Sequence, residues 1–556
     1  MRGLTLPLLL LAALTFLVGL GRGAITDADE AFYAEAAREM VESGDWVTPY
    51  YNYETRFQKP ILYYWLTAAT YAVTGGAGEA GARLWAALSG IGLVLVTAAC
   101  ARRWFDDGVA LLAGAIAATS FGYFFIGRMA LPDLPLTFFI TLATWAGWVA
   151  TLEQVREPRR WVLLSAVAMA LGFLTKGPVG VVIPILVLVP VVLMERRSLN
   201  LGFSDIVAGA TVFVVLALPW YAVMWMRHGD AYLEGFFLGD NLERFATDRF
   251  NDPRPWWYYL PVLLGGLLPW TPLMLVWVHP VWRFLTRRKD IGTIDLRLLL
   301  WAALPLLFYS LSVGKQPRYI LPVLPPLAIL LAASILERTR DWRSLDGARV
   351  RLRRPLTIAL GALGAGALLV LLAALLWHAQ PLLINVAPSF TTAAAVTIAT
   401  AGLTVAWTGL SGAWRQTPVV LALAAAATFP ALQYGALSGT GDDTVQQVAR
   451  AVASARTADE EVGTYDVFVR NLVFYTHVRT MDLIGDDQLS AFLGSPNRVL
   501  VVAPAEAVDR MERDLKIPLR RLAEFPYFNE AGIRLRTLLQ PDRTRDITRV
   551  VLIANR

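Results

Sequence analysis

The chain has 556 residues, of which 56% are hydrophobic and only 17% charged. Soluble domains carry nearer a quarter charged residues, so this composition excludes an ordinary soluble enzyme. The formal charge of +6 does not point to nucleic acid, because basic excess in a membrane protein collects in cytoplasmic loops. One cysteine, Cys100, lies in an apolar stretch, which excludes an internal disulfide and a cysteine zinc cluster. The histidines are dispersed at His228, His279, His378 and His477, with no HExxH spacing among them. The composition is that of an integral membrane protein.

Apolar runs of the kind that cross a bilayer, about 20 residues each, recur along most of the chain. The first, Leu6 to Leu20, follows Arg2 and has no small-residue cleavage site before the acidic segment, so it reads as an uncleaved anchor. After a long polar loop come Leu84 to Ala101, Val109 to Ile126, Leu134 to Ala150, Trp161 to Leu174, Val179 to Met194 and Ile206 to Trp225. A second loop precedes Leu260 to Trp282, Leu298 to Val313, Tyr319 to Leu336, Leu356 to Trp377, Ala393 to Leu410 and Pro418 to Leu437. These make about thirteen transmembrane helices. With the N-terminus inside, the cytoplasmic turns hold Arg102-Arg103, Arg156 with Arg159-Arg160, Arg196-Arg197, Arg287-Arg288-Lys289 and the stretch Arg338 to Arg354. The opposite turns hold only Arg128, Lys176 or the pair Lys315 and Arg318, which is the asymmetry of the positive-inside rule. Outer loops 21–83 and 226–259 and the C-terminal tail then share the outer side. From Thr440 charges of both signs appear, and strand-like runs (Arg498 to Ala503, Thr548 to Ile553) alternate with a helical pattern at Thr444 to Ala455. The expected domains are a membrane domain, 1–439, and a small outer α/β domain, 440–556.

Once that topology is drawn, unusual polar residues gather on the outer side. Asp29, Glu30 and Lys59 lie in the first loop, Asp133 starts the fourth span, and Lys176 stands in the turn before the sixth. Arg244 lies in the second loop and Tyr319 opens the tenth span. Each also has an ordinary structural explanation. Asp29 and Glu30 suit the positive end of the helix that begins near them. Asp133, in Leu-Pro-Asp-Leu-Pro, suits a helix cap, Lys176 can snorkel to headgroups, and Arg244 and Tyr319 suit an interfacial belt. Their gathering is what favours chemistry. Bases can neutralise a lipid phosphate while a carboxylate serves an incoming nucleophile, and charges near a membrane interior usually mark function.

The segments Asp29-Glu30-Ala31-Phe32-Tyr33-Ala34-Glu35, Arg38-Glu39-Met40, Gly44-Asp45-Trp46, Lys59-Pro60 and Tyr64-Trp65 resemble the first outer loop of the lipid A aminoarabinose transferases. These are GT-C glycosyltransferases, grouped with the protein O-mannosyltransferases. The resemblance continues through Arg128 to Asp133, Thr175-Lys176-Gly177-Pro178, Glu243-Arg244-Phe245, Trp257-Tyr258-Tyr259 and Lys315 to Pro322. It implies an inverting transferase of the bacterial inner membrane. Such an enzyme moves a sugar from a polyprenyl (undecaprenyl) phosphate donor to lipid A or another envelope acceptor, with site and tail facing the periplasm. By position, Asp29 matches the catalytic carboxylate and Asp133 the second acid. Lys59, Lys176, Arg244 and Tyr319 match residues around the donor phosphate, and Glu30 and Tyr33 join the substrate-binding set. The family often has Glu before the loop lysine and Arg before the loop tyrosine, where this chain has Gln58 and Phe32. Gly239 and Asp240 stand upstream of Arg244, where a histidine would be. A divalent metal held through those side chains would lose ligands, so no cofactor is assigned.

Lys59, Lys176 and Arg244 are expected to steady the departing phosphate, and Arg318, next to Tyr319, to matter less. The alternatives are a protein O-mannosyltransferase-like enzyme and a lipid-linked sugar transporter. A transporter would show midplane charges and repeat symmetry between halves, and neither is seen.

Overall fold

A computed structural model of the chain describes residues 2–27, 29–195, 201–247, 253–278, 292–340, 348–515, 519–529 and 535–556. Arg196, Arg197, Arg287, Arg288, Lys289 and part of the Arg338 to Arg354 stretch, which carry much of the orientation argument, lie outside the described residues. So does the side chain of Arg244.

Among the described residues, every apolar run read from the sequence falls largely on helix. Among the described residues, eight helices are long and apolar enough to cross a membrane, and a pair bent by 108° (Tyr259–Gly266 and Thr271–Trp277) makes a ninth. The other runs are shorter or more polar. Helix α1 (Arg2–Leu17) is followed by the outer loop with its own helices, α2 (Asp29–Ser43) and α3 (Leu62–Thr74). The span α4 (Glu79–Trp104) leads to α5 (Asp107–Ala118), which stops where the hydroxyls of Thr119 and Ser120 donate back to the carbonyls of Ala115 and Ile116. A short helix, α6 (Phe121–Ile126), resumes the run. Then come α7 (Asp133–Ala150), α8 (Pro158–Lys176) and α9 (Val179–Glu195). Helix α8 carries Arg159 and Arg160 in its first turn and Lys176 at its end, which lowers its apolar content below that of its neighbours.

The α8–α9 break sets the site. Gly177 has φ +80°, and a Cβ there would meet the Phe236 ring at 2.7 Å, so only glycine allows the chain to turn against that ring. The turn leaves Lys176 at the end of α8, beside the start of α9. Opposite lies a π-helix, Glu234–Glu243, whose wider winding carries Asp240 inward to 4% exposure.

The first outer loop is packed, not open. Its hairpin pairs β1 (Tyr50–Tyr51) with β2 (Glu54–Thr55) through Asn52 and Tyr53, both in the left-handed region (φ 54° and 62°), the turn geometry that matches strand twist. Ile25, Tyr33, Tyr63, Tyr64 and Tyr71 form one apolar core with Leu174, Trp220 and Phe236 of the membrane part and with Phe474 of the tail.

The tail folds into a five-stranded sheet of order β4-β3-β5-β7-β6, from β3 (Glu461–Thr464), β4 (Thr480–Asp482), β5 (Val499–Pro504), β6 (Arg520–Tyr527) and β7 (Thr548–Ala554). Strands β4, β3 and β5 run parallel, and β7 is antiparallel to both β5 and β6. A helix at Thr444–Ala455 packs its Val445, Val448 and Val452 face under Leu500, Val502 and Leu552. This part grips the first loop. Asp27 accepts the backbone N–H groups of Arg470 (2.6 Å) and Asn471 (3.0 Å), and Ile25 donates to the Tyr475 hydroxyl at 2.7 Å. Asn52 exchanges two hydrogen bonds with the backbone of Thr480, at 2.8 and 2.9 Å.

Candidate active site

Helices α2 and α7, the segment before α3, the α8–α9 turn, the π-helix and the 3-10 helix Pro317–Val323 bring six charged side chains together. Asp133 opens α7 at 4% exposure and accepts from the Lys176 ammonium at 2.5 Å, with Arg318 Nε 3.4 Å from its other oxygen. The second face of Arg318 pairs with Asp29, so one guanidinium serves both acids. Lys59 pairs with Asp240 on the π-helix. Tyr319 lies under Lys176, whose Nζ is 4.6 Å from the ring centroid.

Asp29 sits outside the spans. Burial pushes its carboxyl up, but Arg318, with Lys176 and Lys59 behind it, more than offsets this, so the group is held below the usual carboxylate range. It is an anion at neutral pH. Its side chain is 44% exposed, far more than that of Asp133, so it is the acid an incoming group can reach.

A cavity of about 470 Å³ opens beside these charges. Its lining includes the polar groups of Lys59, Lys176, Asp133, Asp240, Arg318 and Tyr319 and the apolar side chains of Leu136, Val179, Val182, Phe237, Phe308 and Pro322. It is a charged head space continuous with an apolar wall, the shape an amphiphile with an anionic head requires.

The structure therefore brings together Asp29, Asp133, Lys59, Lys176 and Tyr319. Arg244 begins a short helix, Arg244–Ala246, directly after the π-helix, and its neighbour Phe245 lines the cavity. Two readings change. Glu30 is fully buried, and each of its oxygens accepts from Arg83 and from one backbone N–H group, Ala130 on one side and Thr26 on the other. No acceptor position remains for a substrate, so Glu30 is a structural ion pair and not a substrate-binding residue. Tyr33 is 5% exposed, stacked on Tyr64 and edge-on to Tyr63 with centroids 5.5 Å away in each case, and it backs the site from its core.

Sequence reasoning missed Arg318 as the bridging cation and Asp240 as the partner of Lys59. Arg318 had been expected to matter less than its neighbours. In a 3-10 helix, successive side chains point about 120° apart, so Arg318 and Tyr319 serve different sides of the site, which adjacency in sequence hides. A divalent metal does not fit this donor set. Gln58 offers an amide where a carboxylate would be needed, and among the described residues no three His, Cys, Asp or Glu side chains converge.

Fold and site define a polytopic helical membrane protein of the GT-C type with a C-terminal mixed α/β sheet. Its architecture matches the crystal structure of ArnT from Cupriavidus metallidurans bound to undecaprenyl phosphate, with TM-score 0.72 and 22% identity, over 100% of this chain and 98% of that one. Residues 12–228 match the family described as dolichyl-phosphate-mannose-protein mannosyltransferase. It is similar to the undecaprenyl phosphate-alpha-4-amino-4-deoxy-L-arabinose arabinosyl transferase 2 of Pseudomonas fluorescens, 35% identical over 369 residues. It is likewise 35% identical over 347 residues to the corresponding transferase of Pseudomonas aeruginosa. The matched stretches cover 66% and 61% of this chain, and the chain spans 61% of the length of each relative.

Proposed function

We propose that this protein is an inverting membrane glycosyltransferase that moves aminoarabinose or a related sugar from undecaprenyl phosphate to lipid A. In this reading the chain crosses the bacterial inner membrane thirteen times, and site and C-terminal domain (440–556) face the periplasm. The observation that carries the reading is the cavity. Its lysines and Arg318 suit a phosphate, and its Leu136, Val179, Val182 and Phe308 wall suits an isoprenoid chain. The names of the relatives support the same donor.

The chemistry follows from the charges. A polyprenyl phosphate leaves without a proton, so the site needs cations where negative charge grows as the glycosidic bond stretches. Lys59 and Lys176 stand in the cavity, and Arg244 follows the π-helix that forms one side of it. At rest Asp240 and Asp133 hold the two lysines. A phosphate that enters competes for those ammonium groups, and the carboxylates keep them oriented until it does. Asp29, ionised and reachable, orients the acceptor or takes its proton as it attacks the anomeric carbon from the face opposite the phosphate. For a phosphate acceptor little base strength is needed, and Asp29 then steadies positive charge developing on the sugar.

The test is transfer by the detergent-purified protein from synthetic undecaprenyl phosphate-aminoarabinose to lipid A, read by mass spectrometry. The family match over residues 12–228 favours a second reading, sugar transfer to envelope proteins. A mannosylated peptide product from a polyprenyl phosphate-mannose donor, with lipid A unmodified, would decide for that reading.

A further inference from the structure

Phe32 carries two guanidinium groups on its ring. The Arg56 Cζ lies 4.0 Å from the ring centroid and the Arg470 Cζ 5.3 Å from it. Arg56 belongs to the first outer loop, and Arg470 to the turn that follows β3 in the C-terminal sheet. Both are held in place. Arg56 Nε donates to the Tyr64 hydroxyl at 3.1 Å. The backbone of Arg470 is fixed on both sides, its N–H by Asp27 at 2.6 Å and its carbonyl by the Tyr51 hydroxyl at 3.0 Å.

Arg38, Arg83 and Arg318 in the same region are each ion-paired. Among the described residues, Arg56 and Arg470 have no carboxylate at ion-pair distance, although Asp27, Asp482 and Asp240 feel their charge from further away. Two like charges on one ring repel, and cation–π attraction does not cancel that repulsion. A phosphate is an anion whose oxygens the planar fork of arginine matches well. Phe32 follows Asp29 by three residues on α2, so both leave the same helix face. Neither arginine lines the cavity that holds Lys59 and Lys176. The anion suited to this pair is therefore not the donor phosphate.

We propose that Arg56 and Arg470 form a binding site for a phosphate group on the acceptor, built jointly by the first outer loop and the C-terminal α/β part. The proposal rests on the glycosyl-transfer reading above and narrows it. The acceptor is a phosphorylated glycolipid, since a neutral protein hydroxyl would leave both guanidinium groups without a partner. The C-terminal part contributes directly to recognition.

The test is equilibrium binding to full-length purified protein of three probes: lipid A with its phosphates, the same lipid enzymatically dephosphorylated, and a short-chain polyprenyl phosphate. Inorganic phosphate serves as competitor to separate a free-phosphate site from a glycolipid site. The parent should bind phosphorylated lipid A at least about tenfold more tightly than the dephosphorylated form. Arg470→Gln and Arg56→Gln should each remove most of that difference, Arg470→Lys should keep part of it, and polyprenyl phosphate should bind all variants alike. The side chain of Arg470 is exposed, so Arg470→Gln is compatible with folding. The proposal is overturned if the parent does not discriminate, if the variants still do, if polyprenyl phosphate binding falls in parallel, or if millimolar inorganic phosphate alone saturates the site. Failure of the parent to transfer sugar would defeat the function proposed above and leave the binding comparison to decide this site.

Discussion

Asp29 and Arg318 lie 289 residues apart in the chain and meet as an ion pair. The same guanidinium reaches Asp133, so it holds the two candidate carboxylates at a fixed spacing that neither would keep alone. Removing it would leave two acids facing each other without their shared cation.

Arg318→Gln should therefore be among the most damaging substitutions outside the acids themselves. Truncating one partner of a buried, hydrogen-bonded charge pair costs about 2–5 kcal/mol, and with Asp29 44% exposed the lower end applies, about 2 kcal/mol or roughly a 30-fold loss in kcat/KM if the loss falls on the transition state. The acid limb of the pH profile should also move. A carboxylate with a lowered pKa keeps its active, ionised form to lower pH, and without Arg318 the Asp29 carboxyl rises, so activity should fail at higher pH than in the parent. Kinetics within threefold of the parent, with an unmoved acid limb, would show that the bridge is only structural. Asp29→Asn should abolish transfer in a protein that remains folded and inserted.

Lys59→Ala and Lys176→Ala should weaken use of the donor in both apparent affinity and turnover. Each loses one charged hydrogen bond to phosphate, about 1.5–3 kcal/mol, which corresponds to roughly a tenfold to hundredfold loss. Transfer from a synthetic polyprenyl phosphate sugar, normalised to folded protein, measures it. Parent-like kinetics in both variants would mean that the lysines only anchor the protein at the membrane surface.

Glu30→Gln should act on stability and not on substrate. It breaks a buried pair with Arg83, a change that typically costs about 3–5 kcal/mol. The expected outcome is a lower melting temperature in detergent, with KM for both substrates unchanged in the fraction that stays folded. A selective rise in donor KM would return Glu30 to the binding site.

Glu39, on α2, predicts a pH effect on the first loop. Its carboxyl accepts the Tyr53 N–H with both oxygens, and burial, reinforced by the neighbouring Glu35, pushes its pKa up from 4.5 to about 8. The folded state therefore binds this proton more tightly than the unfolded chain does. That contribution to stability is complete below about pH 4.5 and declines as pH rises towards 8. Glu39→Gln should flatten stability against pH across this window. Hydrogen exchange in the hairpin Tyr50–Thr55 at pH 5 and pH 8 reads the local effect, and equal protection in the parent at both values would refute it.

The membrane architecture was legible because length and apolarity of a span are direct consequences of bilayer thickness. Asp29, Asp133, Lys59 and Lys176 were legible because each is a charge in a place where charge is costly. Glu30 looked the same in sequence, and only the structure shows that Arg83 and two backbone amides fill its oxygens. Arg318 was undervalued because a 3-10 turn, invisible in composition, decides which way it points. The span α8 and the shortened α5 show the same limit in the fold. Apolar runs predict helix but not where one stops: α5 ends at Ala118, inside the run Val109 to Ile126.

The grip of the C-terminal part on the first loop bears on how the protein is made. Asp27 holds a backbone N–H that lies 443 residues downstream, and the sheet that presents it has β7 between β5 and β6. During synthesis the segment bearing Asp27 emerges early but cannot close its hydrogen bonds until the turn bearing Arg470 and Asn471 has been made and folded. Assembly intermediates should thus sit in the membrane with their spans formed and their first loop still open to proteases, so the order of this loop arrives late.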